Sequence, residues 1–189
     1  MIKRFIQNIT LFYFNIIYGL LSKRQKVSIH NVLKQAENIL VCLPDDQSGI
    51  QTTIRKIDRF RQVFPNADIT LFNPTNRSLA DRFESDFNLI ESGKGILNFS
   101  QQINSKIKSE IFQQNYQVTI DLSRTFQYEN ILILCMSHAD LRIGFDHPRK
   151  IKFYNFVIRI SSEQTWDTCL DILTSFLKQN NHADQSQRL

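Results

Sequence analysis

The 189-residue chain is expected to fold as one α/β domain with a mostly parallel sheet, preceded by an amphipathic helix. Three observations point there. Continuous apolar runs alternate with segments of helical period from residue 38 to residue 178, as when strands are buried on both faces between helices. Within this, residues 38–65 (NILVCLPDDQSGIQTTIRKIDRFRQVFP) read as strand, loop and helix, and a second strand follows at 68–72. Finally, residues 1–21 gather most of their apolar side chains in one broad arc. The length suits one well-cored domain and is too short for two of ordinary size.

In residues 1–22, Ile2, Phe5, Ile6, Ile9, Phe12, Tyr13, Ile16, Ile17 and Leu20 share the apolar arc, and Arg4, Gln7, Asn8, Asn15 and Tyr18 lie opposite. Gln7, Asn8, Thr10 and Asn15 interrupt the run that a membrane span would need. An interfacial helix fits best, with a packing helix and a true span as the other readings. Residues 23–37 are polar and read as a linker. The strand at 38–43 is followed by a loop at 44–49 and a helix at 50–64, which Pro65 closes by forcing its predecessor out of the α region.

After the second strand, residues 73–86 suggest a loop and short helix, residues 87–90 a short strand, and Gly93 and Gly95 a turn. Phe99, Ile103, Ile107 and Ile111 recur every fourth residue, giving a helix of about four turns. Residues 117–122 (QVTIDL) are a strand. Residues 130–136 are apolar on every side and read as a buried helix or a strand, the helix being favoured. Residues 141–145 (LRIGF) form the next strand and 154–160 an extended segment. Ser161 or Ser162 is expected to cap a final helix that buries Trp166, Cys169 or Leu170, Leu173 and Phe176 or Leu177. From residue 179 onward the tail is polar and expected to be disordered.

The net charge of +5 sits at the start of the chain. Lys3, Arg4, Lys23, Arg24 and Lys26 fall in residues 1–26 with no acidic residue among them, so the remaining basic residues and the 18 acidic ones balance. The pI of about 9.2 therefore reflects that segment, and no nucleic-acid-binding domain is indicated. A basic, amphipathic start suits an anionic membrane surface. Cys42, Cys135 and Cys169 stand in apolar settings without short spacing, which argues against a disulfide framework or a zinc site and for a reducing compartment. No metal site is expected.

In an open α/β sheet, ligands bind outside the carboxyl ends of the strands. The loops there hold Asp45, Asp46, Ser48 and Gly49 after the first strand, Asp121, Ser123 and Arg124 after another, and Asp146, His147, Arg149 and Lys150 after a third. Ser48, Gly49, Ser123, Arg124, His147, Arg149 and Lys150 would suit a phosphorylated sugar or lipid headgroup, because guanidinium and ammonium groups pair with phosphate. The plainer reading is a solvated, mixed-charge rim. Asp45 and Asp46 are weak candidates for a catalytic base, since Pro-Asp-Asp is also ordinary turn chemistry. Trp166 reads as a core anchor, and no histidine has a partner at catalytic or metal-binding spacing.

Four stretches, taken in order, carry a resemblance: ILVCLPDDQSGIQTTIRKIDRFRQVFPNADITLF, YQVTIDLSR, LRIGFD, and FYN leading to the Trp166 helix. Together they resemble the N-terminal domain of glycosyltransferase family 9, the lipopolysaccharide heptosyltransferases, over roughly residues 38–178. The resemblance implies a Rossmann-like domain of the GT-B type that recognises an anionic lipid or phosphorylated glycan acceptor. It also implies metal-free, inverting transfer from a nucleotide-sugar held by a C-terminal domain, at the cytoplasmic face of the inner membrane. The family's first loop ends in Gly-Asp, whose Asp is its candidate base; letter-for-letter matching puts Ser48 and Gly49 there. Only a short polar tail follows residue 178, and no Gly-rich phosphate loop occurs. The chain itself is expected to hold no cofactor, its nucleotide-sugar donor coming only from a separate donor-domain chain. The expected role is an acceptor-binding, accessory or split-enzyme component peripherally attached to the inner membrane. The alternative is a non-catalytic interaction protein that binds no sugar.

Overall fold

The apolar run at residues 39–42 becomes the middle of a sheet, fully sealed from solvent. The computed structural model describes residues 2–21, 28–75, 77–82, 87–91, 97 and 103–182. Along the chain lie α1 (Ile2–Leu21), α2 (Ile29–Gln35), β1 (Asn38–Cys42), α3 (Gln47–Lys56), α4 (Asp58–Val63), β2 (Asp68–Asn73) and β3 (Asn88–Glu91). Then come α5 (Ser105–Gln113), β4 (Val118–Asp121), α6 (Tyr128–Met136), β5 (Leu141–Phe145), β6 (Phe156–Ile158) and α7 (Trp166–His182), with 3-10 turns at Ala80–Arg82 and Ile151–Phe153.

The six strands are all parallel, in the order β3-β2-β1-β4-β5-β6. Strand addition reverses direction between β1 and β4, paired from Ile39 with Val118 to Cys42 with Asp121. Such a reversal leaves a crevice beyond the carboxyl ends of the two strands. Period-two alternation divides the core. Ile39, Val41, Ile69, Leu71, Val118, Ile120, Leu141 and Ile143 face α2, α3, α4 and α7. Leu40, Cys42 and Phe72 face α5 and α6, where Leu11 of α1 also packs.

Several elements depart from the sequence expectation. The helix after β1 starts earlier, capped by Asp46, and breaks at Ile57 into α3 and α4, which both pack on α7. Residues 29–35 of the expected linker form α2, capped by Ser28 and anchored by buried Leu33. Its period was hard to read because a two-turn helix shows one apolar repeat. Ile103 lies in an isolated bridge with Leu97, not in a helix, and Asn104 caps α5 by accepting from Lys106 N–H at 2.9 Å. Phe99, Gly93 and Gly95 lie outside the described residues.

The stretch at 130–136 is helical, and α6 stops where His138 takes a φ of 52°. Ser161 and Ser162 do not cap α7; Thr165 does, its carbonyl and hydroxyl accepting from the N–H groups of Cys169 and Thr168. Both serine carbonyls are taken by Arg124 instead. The last helix also runs into the expected tail: Asn181 donates to the Val63 carbonyl, and His30 Nδ1 stands 2.5 Å from the Asn180 carbonyl. Residues 183–189 lie outside the described residues. No helix among the described residues is long and apolar enough to cross a membrane.

Candidate functional site

The loop after β1 is held by one carboxylate. Asp46 takes an extended backbone, and its Oδ1 accepts from Gly49 N–H at 2.7 Å, satisfying an orphan donor of the first helical turn. The same oxygen accepts from the Trp166 indole N–H at 3.1 Å. Trp166 reaches the crevice from the start of α7 and lies against Gly49. A Cβ added there would stand 2.7 Å from both Pro44 Cγ and Trp166 Cε2, so only glycine fits.

Arg124, from the loop after β4, places its guanidinium 5.6 Å from the indole centroid. It donates to the carbonyls of Gln164 at 2.7 Å and Ser162 at 3.0 Å. These contacts tie three loops together around a cavity of about 460 Å³, lined by Asp46, Arg124, Thr125, Asp146, Ile160, Ser161, Ser162 and Trp166.

Behind this crevice lies a buried polar network. Asp121 ends β4 almost without exposure. Its Oδ1 accepts from Ser123 N–H, Ser123 Oγ and Asn130 Nδ2 at 2.9, 2.6 and 3.0 Å. Its Oδ2 accepts from the Tyr154 hydroxyl at 2.6 Å and Lys150 Nζ at 3.3 Å. The remaining Lys150 donors go to the Ser123 carbonyl and hydroxyl at 2.6 and 2.9 Å. Burial, and then the Asp121 charge, push the Tyr154 phenol well above its ordinary range, so it remains a donor. The Tyr154 ring occupies the space a side chain at Gly144 would need, with Cζ 2.3 Å from an added Cβ. With every charge paired, the network's task is to fix the loops after β4 and β5.

A second cavity of about 540 Å³ opens between α1 and the loops after β1, β4 and β5. It is lined by Gln7, Asn8 and Leu11 of α1, with Asp45, Phe126, Gln127, Tyr128, Glu129 and Arg149. Arg149 stacks its guanidinium 3.8 Å from the Phe126 centroid, and the His147 ring lies 6.5 Å from the same ring. Burial, then the charges of Lys150 and Arg149, hold His147 below its usual value, so it is neutral near pH 7 and accepts from Arg149 N–H at 3.2 Å. Gln127 is buried, and neither end of its amide has a hydrogen-bond partner among the described residues. Orphaned buried polar groups cost about 1–3 kcal/mol each, so this amide is conspicuous.

The residues singled out from sequence are thus split among three environments. Asp46 and Arg124 line the crevice, with Gly49 under Trp166 at its edge and Ser48 exposed on the first turn of α3. Asp45 and Arg149 line the other cavity, where His147 adjoins Phe126. Ser123 and Lys150 are inside the protein, and the Lys150 ammonium faces Asp121 rather than the rim. Sequence reasoning passed over Trp166, Gln127 and Tyr154 as site residues. A side-chain-free position at the mouth of a helix was the available hint for Trp166; nothing local marks the other two.

The fold is similar to that of solved glycosyltransferases. A glycosyltransferase family 9 protein from Veillonella parvula matches at TM-score 0.58 and 14% identity, over 79% of this chain and 43% of that one. The chain has the Rossmann-like fold of one part of a family 9 glycosyltransferase. The ADP-heptose lipopolysaccharide heptosyltransferase II of E. coli matches at TM-score 0.53 and 16% identity, over 69% of this chain and 39% of that one. An E. coli heptosyltransferase solved with ADP-2-deoxy-2-fluoro-heptose matches at 0.50 and 14%, over 77% and 48%. The chain spans less than half the length of these structures. No protein-family model matches it, and no curated protein matches it in sequence.

Proposed function

We propose that the chain is the acceptor-binding half of a family 9-like glycosyltransferase, working in lipopolysaccharide or related cell-envelope glycan assembly at the cytoplasmic face of the inner membrane. The likeness of fold to family 9 enzymes carries this reading. The crevice over β1 and β4 supports it: carboxylates, a guanidinium, serine hydroxyls and an indole suit a glycan. Within it, Asp46 is the carboxylate placed to receive a proton from an acceptor hydroxyl, since a base must lie within hydrogen-bonding distance of the proton it takes. Its Oδ1 is anchored by two N–H groups, which fixes its position. The nucleotide-sugar is held by a donor half on a longer polypeptide or a separate chain.

Attachment to the leaflet runs through α1. Phe5, Ile9, Phe12, Tyr13 and Ile16 are exposed along one stripe of that helix, between the basic residues at either end of the segment. Such a stripe enters the headgroup boundary while basic flanks attract anionic lipid.

One observation favours a second reading, a non-catalytic scaffold. Position 49, matched to the family's candidate base, is sealed beneath Trp166 and has no room for a side chain. Vesicle binding separates the two. Anionic vesicles carrying a lipopolysaccharide-core glycolipid are expected to bind at least tenfold tighter than plain anionic vesicles; equal binding would replace the acceptor reading with the scaffold. Ile9→Asp with Phe12→Asp should weaken binding to both by roughly tenfold or more, because each buried apolar side chain contributes about 1.5–3 kcal/mol. Unchanged binding would rule out attachment through α1.

A further inference from the structure

We propose that the cavity between α1 and the loops after β1, β4 and β5 binds a neutral saccharide unit, distinct from the ligand of the crevice over β1 and β4. One wall is α1, which precedes the stretch that resembles family 9, and the lining shares no residue with the crevice that holds Asp46, Arg124 and Trp166. At about 540 Å³ the cavity lies in the size range of small-molecule sites.

The lining chemistry selects the class. Among the described lining residues, Asp45 and Glu129 share the cavity with a single guanidinium, Arg149, which is already stacked on Phe126. A phosphate placed here would meet two carboxylates for one cation, so an anionic group is disfavoured. An acyl chain is disfavoured too, because most lining side chains are polar. Hydroxyl groups both donate and accept, and they need partners of both kinds. Carboxylates accept from a vicinal pair, and the amides of Asn8 and Gln127 each carry one donor and one acceptor end. Leu11 and Phe126 provide apolar surface for the C–H face of a sugar ring.

The independent sign of a ligand is Gln127. Its side chain is more than nine-tenths buried, and both amide ends are unpartnered among the described residues, at the border of this cavity. Folded proteins seldom leave a buried amide unsatisfied at both ends. A sugar hydroxyl seated against it, with a small yielding of α1, supplies both partners.

The test is ligand-observed NMR on the full chain with the methyl glycosides of glucose, mannose and heptose, and with the matching sugar 1-phosphates. Saturable, millimolar binding of a neutral glycoside is expected, with the phosphates no tighter. Gln127→Leu should weaken binding at least tenfold while leaving the thermal midpoint unchanged or raised, because an unsatisfied amide is removed. Should Gln127→Leu fail to fold, Asn8→Ala on the exposed helix surface is the second variant, with the same expected loss.

No binding of any neutral glycoside, tenfold preference for the phosphates, or binding unaffected by these substitutions would overturn the proposal. No transfer is needed in this assay, so the cavity is judged separately from the glycosyltransferase reading. The Trp166 indole N–H signal, which reports the crevice, should stay fixed during these titrations; its movement in step with binding would assign the sugar to the crevice and overturn the proposal as well.

Discussion

Trp166 and Gly49 are a matched pair: the indole fills the volume that any side chain at position 49 would enter. Gly49→Ala is therefore expected to cost about 1–3 kcal/mol through overpacking. Adding Trp166→Ala should recover part of that cost, and denaturant unfolding of the two single variants and the double variant would show it as a coupling energy above about 0.5 kcal/mol. Fully additive effects would mean the two do not touch.

Lys150 teaches a different lesson. A lysine in a charged loop reads as a rim cation, and nothing local says that it turns inward. Its partners Asp121 and Ser123 sit nearly 30 residues away at the end of β4, so no local spacing marks the pairing. Breaking such a pair strands a buried charge. Lys150→Met is expected to cost about 3–5 kcal/mol, and Asp121→Asn in the same background should restore part of it, measured by urea unfolding.

α7 is held to α3 and α4 by charge as well as by packing. Lys56 contacts Asp167 at 2.9 Å and Asp171 at 2.6 Å, and Arg59 also pairs with Asp171. The hydrogen bonds from Lys56 depress both carboxyls below their ordinary range, Arg59 adding to the effect at Asp171. Burial opposes the charge of Lys56, but its bonds to Asp171 and Asp167 raise its pKa overall. Each carboxylate then contributes stability above its unfolded pKa of about 4, and loses it as pH falls through the depressed native value, where the unfolded chain binds more protons. The share of Lys56 runs the other way: it is present below the unfolded lysine value and lost as pH rises through the raised native one.

Asp167→Asn with Asp171→Asn should therefore flatten the fall in thermal midpoint below about pH 4. Both carboxylates are about half exposed, so the difference should shrink in molar salt. An acid limb identical to that of the parent chain would remove this clamp from the explanation of stability. The helix of α7 itself was legible from its apolar period. Its cap was not, because Arg124 competes for the serine carbonyls from a loop nearly 40 residues away in sequence.

The α/β class was legible because parallel strands buried on both faces favour apolar runs: β1 is one, and β4 and β5 are buried throughout although they carry Thr119, Asp121 and Arg142. The order β3-β2-β1-β4-β5-β6 was not, since strand neighbours depend on packing across the entire chain. For the same reason the loops were correctly gathered at the strand ends, yet their division into a crevice, a buried network and a second cavity walled by α1 emerged only in three dimensions. Asp45 and Asp46, neighbours in sequence, line different cavities.

The crevice carries its own reporter, because Trp166 is the only tryptophan in the chain and its N–H bonds to Asp46 there. The decisive experiment is titration of the full chain with a soluble, deacylated lipopolysaccharide-core oligosaccharide while the indole N–H is followed by NMR. A saturable shift of that signal, lost in Asp46→Ala, is the expected result and would place the acceptor over β1 and β4. An indole signal unmoved at millimolar oligosaccharide would contradict acceptor binding at this crevice and leave the fold of a glycosyltransferase without its ligand.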